Sequence, residues 1–217
     1  MRFKTSPIVS VVCTLLFAAG CAATAPATTI TPAAATPAPA GEGSEYTSGL
    51  ITAEQGLPAR LAGATEYVIQ IEIAADYASL QGSQQVTYTN TETVPLGEVF
   101  LRLYPNMLGG KSSVTGVVVD GAQVQAAEEP GGVALRVPLP QPLPPGASTQ
   151  IDMDFMVEIP TQAGGNYGLF GYIDEILVLD GFYPSIPVFD GQGWHAGPVP
   201  PNADTTFNDA SFYTVQV

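Results

Sequence analysis

Glu66 to Asn106 reads EYVIQIEIAADYASLQGSQQVTYTNTETVPLGEVFLRLYPN, and this stretch decides the fold. Tyr67, Ile69, Ile71 and Ile73 share one parity, while Val68, Gln70, Glu72 and Ala74 share the other. One side is apolar and the other largely polar, which is the period-two pattern of a half-buried strand. Gln84 to Asn90 alternates again, with Val86 and Tyr88 against Gln85, Thr87 and Thr89. Val99, Leu101 and Leu103 form a third run, interleaved with Phe100, Arg102 and Tyr104. Asp76, Gly82, Asn90, Pro95 and Gly97 punctuate the gaps with turn chemistry. The expectation is three consecutive strands in an antiparallel meander.

Downstream the same signals recur. Val114–Val119, the pair Asp120-Gly121, and Gln123–Ala127 predict a hairpin closed by a two-residue type I′ turn. Glu128–Gly132 is a further turn, followed by a strand over Val133–Leu139. Pro138–Gly146 is rigid and poor in backbone donors, so it is expected as a loop or an edge rather than a central strand. Thr149–Ile159 sets Ile151, Met153, Phe155 and Val157 against Asp152, Asp154, Met156 and Glu158. Asn166–Tyr172 and Glu175–Leu179 complete the set of candidate strands. Frequent turns, and no helical pattern longer than about two turns, predict an all-β antiparallel sandwich.

The N-terminus has a different character. Arg2 and Lys4 precede an apolar run from Ile8 to Ala19, too short to span a bilayer but suited to a signal peptide. The run ends Ala18-Ala19-Gly20-Cys21, which resembles a bacterial lipobox, with Cys21 as the lipidated residue and Ala18 where Leu is usual. Residues 1–20 are thus expected to be a lipoprotein signal peptide. Residues 21–44 are an Ala/Thr/Pro-rich linker with too little bulky apolar surface to offset the entropy of ordering. Extended as polyproline, that linker would reach roughly 70 Å. Residues 45–65 read as a connecting arm, either a short helix or a segment packed on the sheet, and residues 66–217 as the β-sandwich domain. The expected location is extracytoplasmic, lipid-anchored to the bacterial cell membrane.

Charge and cysteine content exclude several functions. The formal net charge is −14, and losing Arg2 and Lys4 with the signal peptide makes it −16. Only Arg60, Arg102, Lys111 and Arg136 then remain as cations, far from the clustered charge that phosphate neutralisation requires, so no nucleic acid is expected as a partner. Cys13 lies within the signal peptide, so beyond Cys21 there is no thiol for a disulfide, a cysteine zinc site or a nucleophile.

The order of several short patterns resembles a known family. These are Tyr67-x-Ile69-x-Ile71, Gly82-x4-Val86-x-Tyr88-x-Asn90, Leu101-x-Leu103-Tyr104-x-Asn106, Val119-Asp120-Gly121 and Leu139-Pro140-x-Pro142-Leu143-x-Pro145-Gly146. Together they resemble the N-terminal, saddle-like β-domain of aminopeptidase N-like zinc metallopeptidases, the family that includes leukotriene A hydrolase. Pro187-Val188-Phe189-Asp190 is similar to that family's Pro-Cys-Phe-Asp segment. Phe182-Tyr183-Pro184 and Gly193-Trp194 are similar to its divergent bacterial branch. The resemblance implies a non-catalytic domain that supports and partly walls the cleft of a following catalytic domain, with peptide as the substrate of the whole protein.

The family's zinc site is HExxH plus a downstream glutamate, with zinc expected in that following domain. This chain has a single histidine, His195, so no catalytic residue, metal ligand or cofactor is assigned within it. The chain ends in mid-alternation over Ser211–Val217, and the expectation is a polypeptide that continues into the catalytic domain. Some family members hold the substrate's α-amine with a Gln or Glu just before the Pro-Cys-Phe-Asp segment. That region aligns with Ile176–Asp180, where Asp180 is the one candidate for such a contact.

Tyr183, Phe189, Asp190, Trp194 and His195 are the candidates for facing the cleft or a neighbouring domain. Tyr104, Phe182, Tyr183 and Trp194 could also form a peptide- or sugar-binding platform, or simply pack in the core. A stand-alone extracytoplasmic lipoprotein that binds a peptide, glycan or protein partner is the alternative reading, and a catalytically dead scaffold is another.

Overall fold

The computed structural model describes residues 44–162, 168–198 and 206–217, and the expectations for residues 1–43, including Cys21, lie outside them. In chain order the strands are β1 (Thr65–Ile73), β2 (Ser79–Thr89), β3 (Leu96–Arg102), β4 (Lys111–Val119), β5 (Ala122–Gln123), β6 (Ala127–Glu128) and β7 (Ala134–Leu143). They continue with β8 (Ser148–Glu158), β9 (Phe170–Ile173), β10 (Ile176–Leu179), β11 (Phe189–Asp190), β12 (Gly193–Trp194) and β13 (Ser211–Gln216). One sheet has the order β13-β1-β2-β8-β4-β5, and a second has the order β3-β7-β6. The pairs β9–β10 and β11–β12 are separate hairpins. The fold is all-β, and a single apolar core joins the two sheets. Tyr67, Ile69, Val86, Ile151 and Val157 come from the first, and Val99, Leu101, Leu135 and Val137 from the second.

The expected meander breaks after two strands. β2 pairs antiparallel with β1 on one side and along its whole length, Ser79 to Thr89, with β8 on the other. That leaves β3 no free edge of β2, and it crosses to the second sheet beside β7. Asn90 fixes the crossing. Its fully buried side chain donates to the carbonyls of Val94 and Leu143 and accepts the Glu92 amide. Gly82 serves the β2–β8 contact: a Cβ there would lie 2.6 Å from the Phe155 ring and 2.7 Å from the Gln70 carbonyl.

The Asp120-Gly121 hairpin forms as expected. Both residues have positive φ, 48° and 80°, and Val119 pairs with Ala122. The strand expected over Gln123–Ala127 instead splits, β5 staying in the first sheet and β6 joining the second. The proline-rich stretch takes the second of its two expected forms, with Pro138 to Leu143 as an edge rather than a loop. β6 flanks β7 only at Leu135 and Arg136, so Pro138 to Leu143 is bordered by β3 alone, where missing donors do no harm. β9 begins at Phe170; Gly168 and Leu169 before it form a turn and bend rather than strand, and Asn166 and Tyr167 of the strand expected there lie outside the described residues.

One pairing is parallel: β13 lies beside β1, with Thr65 opposite Ser211 and Gln70 opposite Gln216. The segment before β1 is an arm of single helical turns, Ser44–Thr47, Thr52–Glu54 and Leu57–Arg60, whose Tyr46 ring stacks on Phe212 at 4.5 Å. No helix among the described residues is long and apolar enough to cross a membrane.

Candidate functional site

The five residues expected to face the cleft, Tyr183, Phe189, Asp190, Trp194 and His195, lie on a strap, Phe182 to Gly197, that is tied down from three strands. From β1, the Tyr67 hydroxyl accepts the Ile186 amide at 2.8 Å. From β2, Gln84 Nε2 donates to the Pro184 carbonyl at 2.8 Å. From the end of β3, Arg102 makes a two-way backbone bridge with Ser185, and its Nη1 donates to the carbonyls of His195 and Gly197 at 2.7 and 2.5 Å. Gly181 lets the chain enter the strap: its φ is +61°, and a Cβ would lie 2.8 Å from that of Tyr104.

Arg102 is a buried cation whose partners are carbonyls rather than a carboxylate. Burial lowers its pKa, with Tyr104 nearby acting in the opposite sense. The Tyr104 ring lies 5.3 Å from the guanidinium carbon, within cation–π range. Sequence reasoning passed over both Gln84 and Arg102. Gln84 sits on the same parity as buried Val86 and Tyr88, and that misplaced polarity was the one available signal. Its Oε1, like Arg102 Nε and the Ser185 hydroxyl, has no hydrogen-bond partner.

Two aromatic groups frame the strap. Tyr67 stacks on Tyr213 with centroids 5.1 Å apart and meets Tyr183 edge-on at 5.3 Å. The Tyr183 hydroxyl donates to that of Tyr213 at 2.8 Å. Burial first, and this hydrogen bond second, raise the Tyr183 pKa well above that of a free phenol. Tyr67 is raised as well, chiefly by burial. In the second group Trp194 contacts Phe189, Tyr88 and Phe100, with ring centroids 5.1 to 6.0 Å apart. Burial, with Glu92 and Asp209 adding negative charge, pushes Tyr88 up to about 12.

The β11–β12 hairpin carries the polar chemistry. Asp190 Oδ1 accepts the Gln192 amide at 2.7 Å, and Oδ2 lies 2.7 Å from His195 Nε2. The Gln192 bond first and His195 second hold the Asp190 carboxyl below the usual carboxylate range. The imidazole also meets the Phe207 ring edge-on at 5.3 Å. Asp190 and His195 are both partly exposed, so the pair could exchange a proton with a bound group. No group of three or more metal-ligating side chains occurs among the described residues.

Tyr183, Phe189, Asp190, Trp194 and His195 therefore belong to one strap. Asp180 stands apart from them: it is exposed at the end of β10, where its amide donates to the Leu169 carbonyl at 3.1 Å.

No family model matches the chain, and no curated protein matches it. Among solved structures, it is similar to a two-domain M1 zinc metallopeptidase bound to L-tryptophan, with 19% identity and a TM-score of 0.38 over 47% of this chain and 22% of that one. It is also similar to an M1 zinc metallopeptidase from Deinococcus radiodurans, with 20% identity and a TM-score of 0.37 over 46% of this chain and 21% of that one. The chain thus spans less than a quarter of the length of either structure.

Proposed function

We propose that this chain is the non-catalytic N-terminal β-domain of an aminopeptidase N-like zinc metallopeptidase, lipid-anchored outside the cell through Cys21. In this reading the Phe182–Gly197 strap walls part of the active-site cleft of a following catalytic domain. That domain holds the zinc and cleaves peptide. The observation that carries the reading is how the resembling segments meet. Tyr67 of the first pattern holds Ile186, next to Pro187-Val188-Phe189-Asp190, and Asn90 of the second holds Leu143 of the proline-rich one. Arg102, between Leu101 and Leu103, holds Ser185 and His195. Patterns scattered over more than a hundred residues act as one framework, which supports reading their order as that of a single domain type.

The test is to sequence the gene past Val217 and assay both products. The expected result is a frame that continues through HExxH and a later glutamate. The longer protein then shows zinc-dependent hydrolysis of aminoacyl nitroanilides that the 217-residue chain lacks. A stop codon directly after Val217 overturns the reading and leaves the stand-alone binding lipoprotein.

A further inference from the structure

The hairpin β9–β10 has features that the proposed role does not use. Its inner face, Phe170, Tyr172, Leu177 and Leu179, packs against the core. Pairing of Ile176 with Ile173 and of Val178 with Gly171 fixes the other face. Leu169, Ile173, Ile176, Val178 and Asp180 share it, because side chains alternate along each strand. Ile176 is 63% exposed, with Leu169 and Val178 also open to solvent. The side chain missing at Gly171 leaves Val178 without a cross-strand neighbour.

Among the described residues β10 is also an open edge. β9 is covered on its far side, where the Tyr172 amide donates to the Pro160 carbonyl. The Asp180-to-Leu169 hydrogen bond sets the phase of the ladder. The period of two then points the amides and carbonyls of Leu177 and Leu179 outward. They have no backbone partner among the described residues. Ile176–Leu179 contains no proline or charge that would blunt such an edge.

Carboxylates mark both ends of this edge. Asp180 lies at the base, and Asp174 and Glu175 form the exposed tip. Both tip residues have left-handed φ, 51° and 63°, where Asn-Gly would sit without strain. No lysine or arginine lies on the hairpin. The site therefore offers hydrogen bonds along its middle, an aliphatic face, and negative charge at either end.

We propose that β10 binds an extended peptide segment by strand addition, its aliphatic side chains alternating and a Lys or Arg at each end. Main-chain bonds to Leu177 and Leu179 would hold the strand, the Ile176–Val178 face would select apolar residues, and the carboxylates would set the register. This inference concerns the hairpin alone and stands whether or not a catalytic domain follows.

The test is a nuclear magnetic resonance titration of the isotope-labelled full chain with the capped peptide Lys-Thr-Val-Thr-Val-Thr-Lys, whose lysines and valines share one face, and its counterpart carrying Glu at both ends. The expected result is amide shifts centred on Leu177 and Leu179 with the lysine peptide. Affinity should be weaker by roughly tenfold for the glutamate peptide and for the combined Asp174→Asn, Glu175→Gln, Asp180→Asn variant. Val178→Lys, on the solvent face, should abolish binding while leaving the spectrum of the core unchanged. Three results overturn the proposal: no shifts at about 1 mM peptide, shifts centred elsewhere, or equal affinity for both peptides.

Discussion

The Tyr67 hydroxyl reaches across 119 residues of sequence to accept the buried Ile186 amide at 2.8 Å. The ring that carries it is itself clamped between Tyr183 and Tyr213. Tyr67→Phe keeps the ring packing but leaves the amide without a partner. Loss of a buried partner costs about 1–3 kcal/mol. Equilibrium urea unfolding should show a lower midpoint with an unchanged slope, whereas an unshifted midpoint would mean that water replaces the hydroxyl at no cost.

Arg102 ties the other end of the same strap. Arg102→Lys keeps the charge but cannot reproduce the planar fork that reaches two carbonyls at once. The expected cost is about 2 kcal/mol, from one stranded carbonyl and a desolvated ammonium. Hydrogen exchange should accelerate from Gly193 to Gly197 ahead of β1 and β2. Uniform acceleration through the sheets would instead place Arg102 in the global core.

The strands were legible in the sequence because burial on one face writes itself as alternation, as in Tyr67–Ile73 and Ile151–Val157. The Asp120-Gly121 turn was legible because two left-handed residues have few chemical solutions. Partner choice was not. β3 alternates just as β1 and β2 do, yet it sits in the other sheet because β8 occupies the edge of β2 and Asn90 turns the chain away. Arg102 falls on the parity that reads as solvent-facing. It is buried because a segment some eighty residues later lies over it, and periodicity carries no trace of such long-range cover.

Asp190 sets an acid limb. Its folded pKa lies below the ordinary value of 3.8, so folding favours the carboxylate. The resulting stabilisation is complete above that value and is lost as pH falls through the lower, folded one. Asp190→Asn should therefore flatten the stability profile below about pH 4 and leave its shape near neutrality unchanged. An unaltered acid limb would assign acid sensitivity to other carboxylates.

Tyr67, Tyr88 and Tyr183 set the alkaline limb. Each has its pKa raised from 10.0, that of Tyr88 to about 12, so the fold favours the neutral phenol. The stabilisation is complete below pH 10, where these phenols in the unfolded chain are still neutral. It declines as pH rises above that and through the folded values. A spectrophotometric titration should show these three silent until the chain unfolds, then ionising together in a cooperative step. Smooth, reversible ionisation of every tyrosine near the ordinary value would contradict their burial.

The turn between β9 and β10 separates stability from recognition. Asp174 and Glu175 both hold left-handed backbone, which costs a residue bearing a Cβ about 1 kcal/mol or more relative to glycine. Replacing the pair by Asn-Gly relieves that strain in the native hairpin. Glycine also gives the unfolded chain more freedom, which offsets part of the gain. The net expectation is a stabilisation of about 0.5–1 kcal/mol, read as a rise in the midpoint of thermal unfolding. The same variant removes both carboxylates from the hairpin tip, so its affinity for a lysine-ended strand should fall while its stability rises. A stabilised variant that still binds fully would show that the acidic tip is strain without recognition.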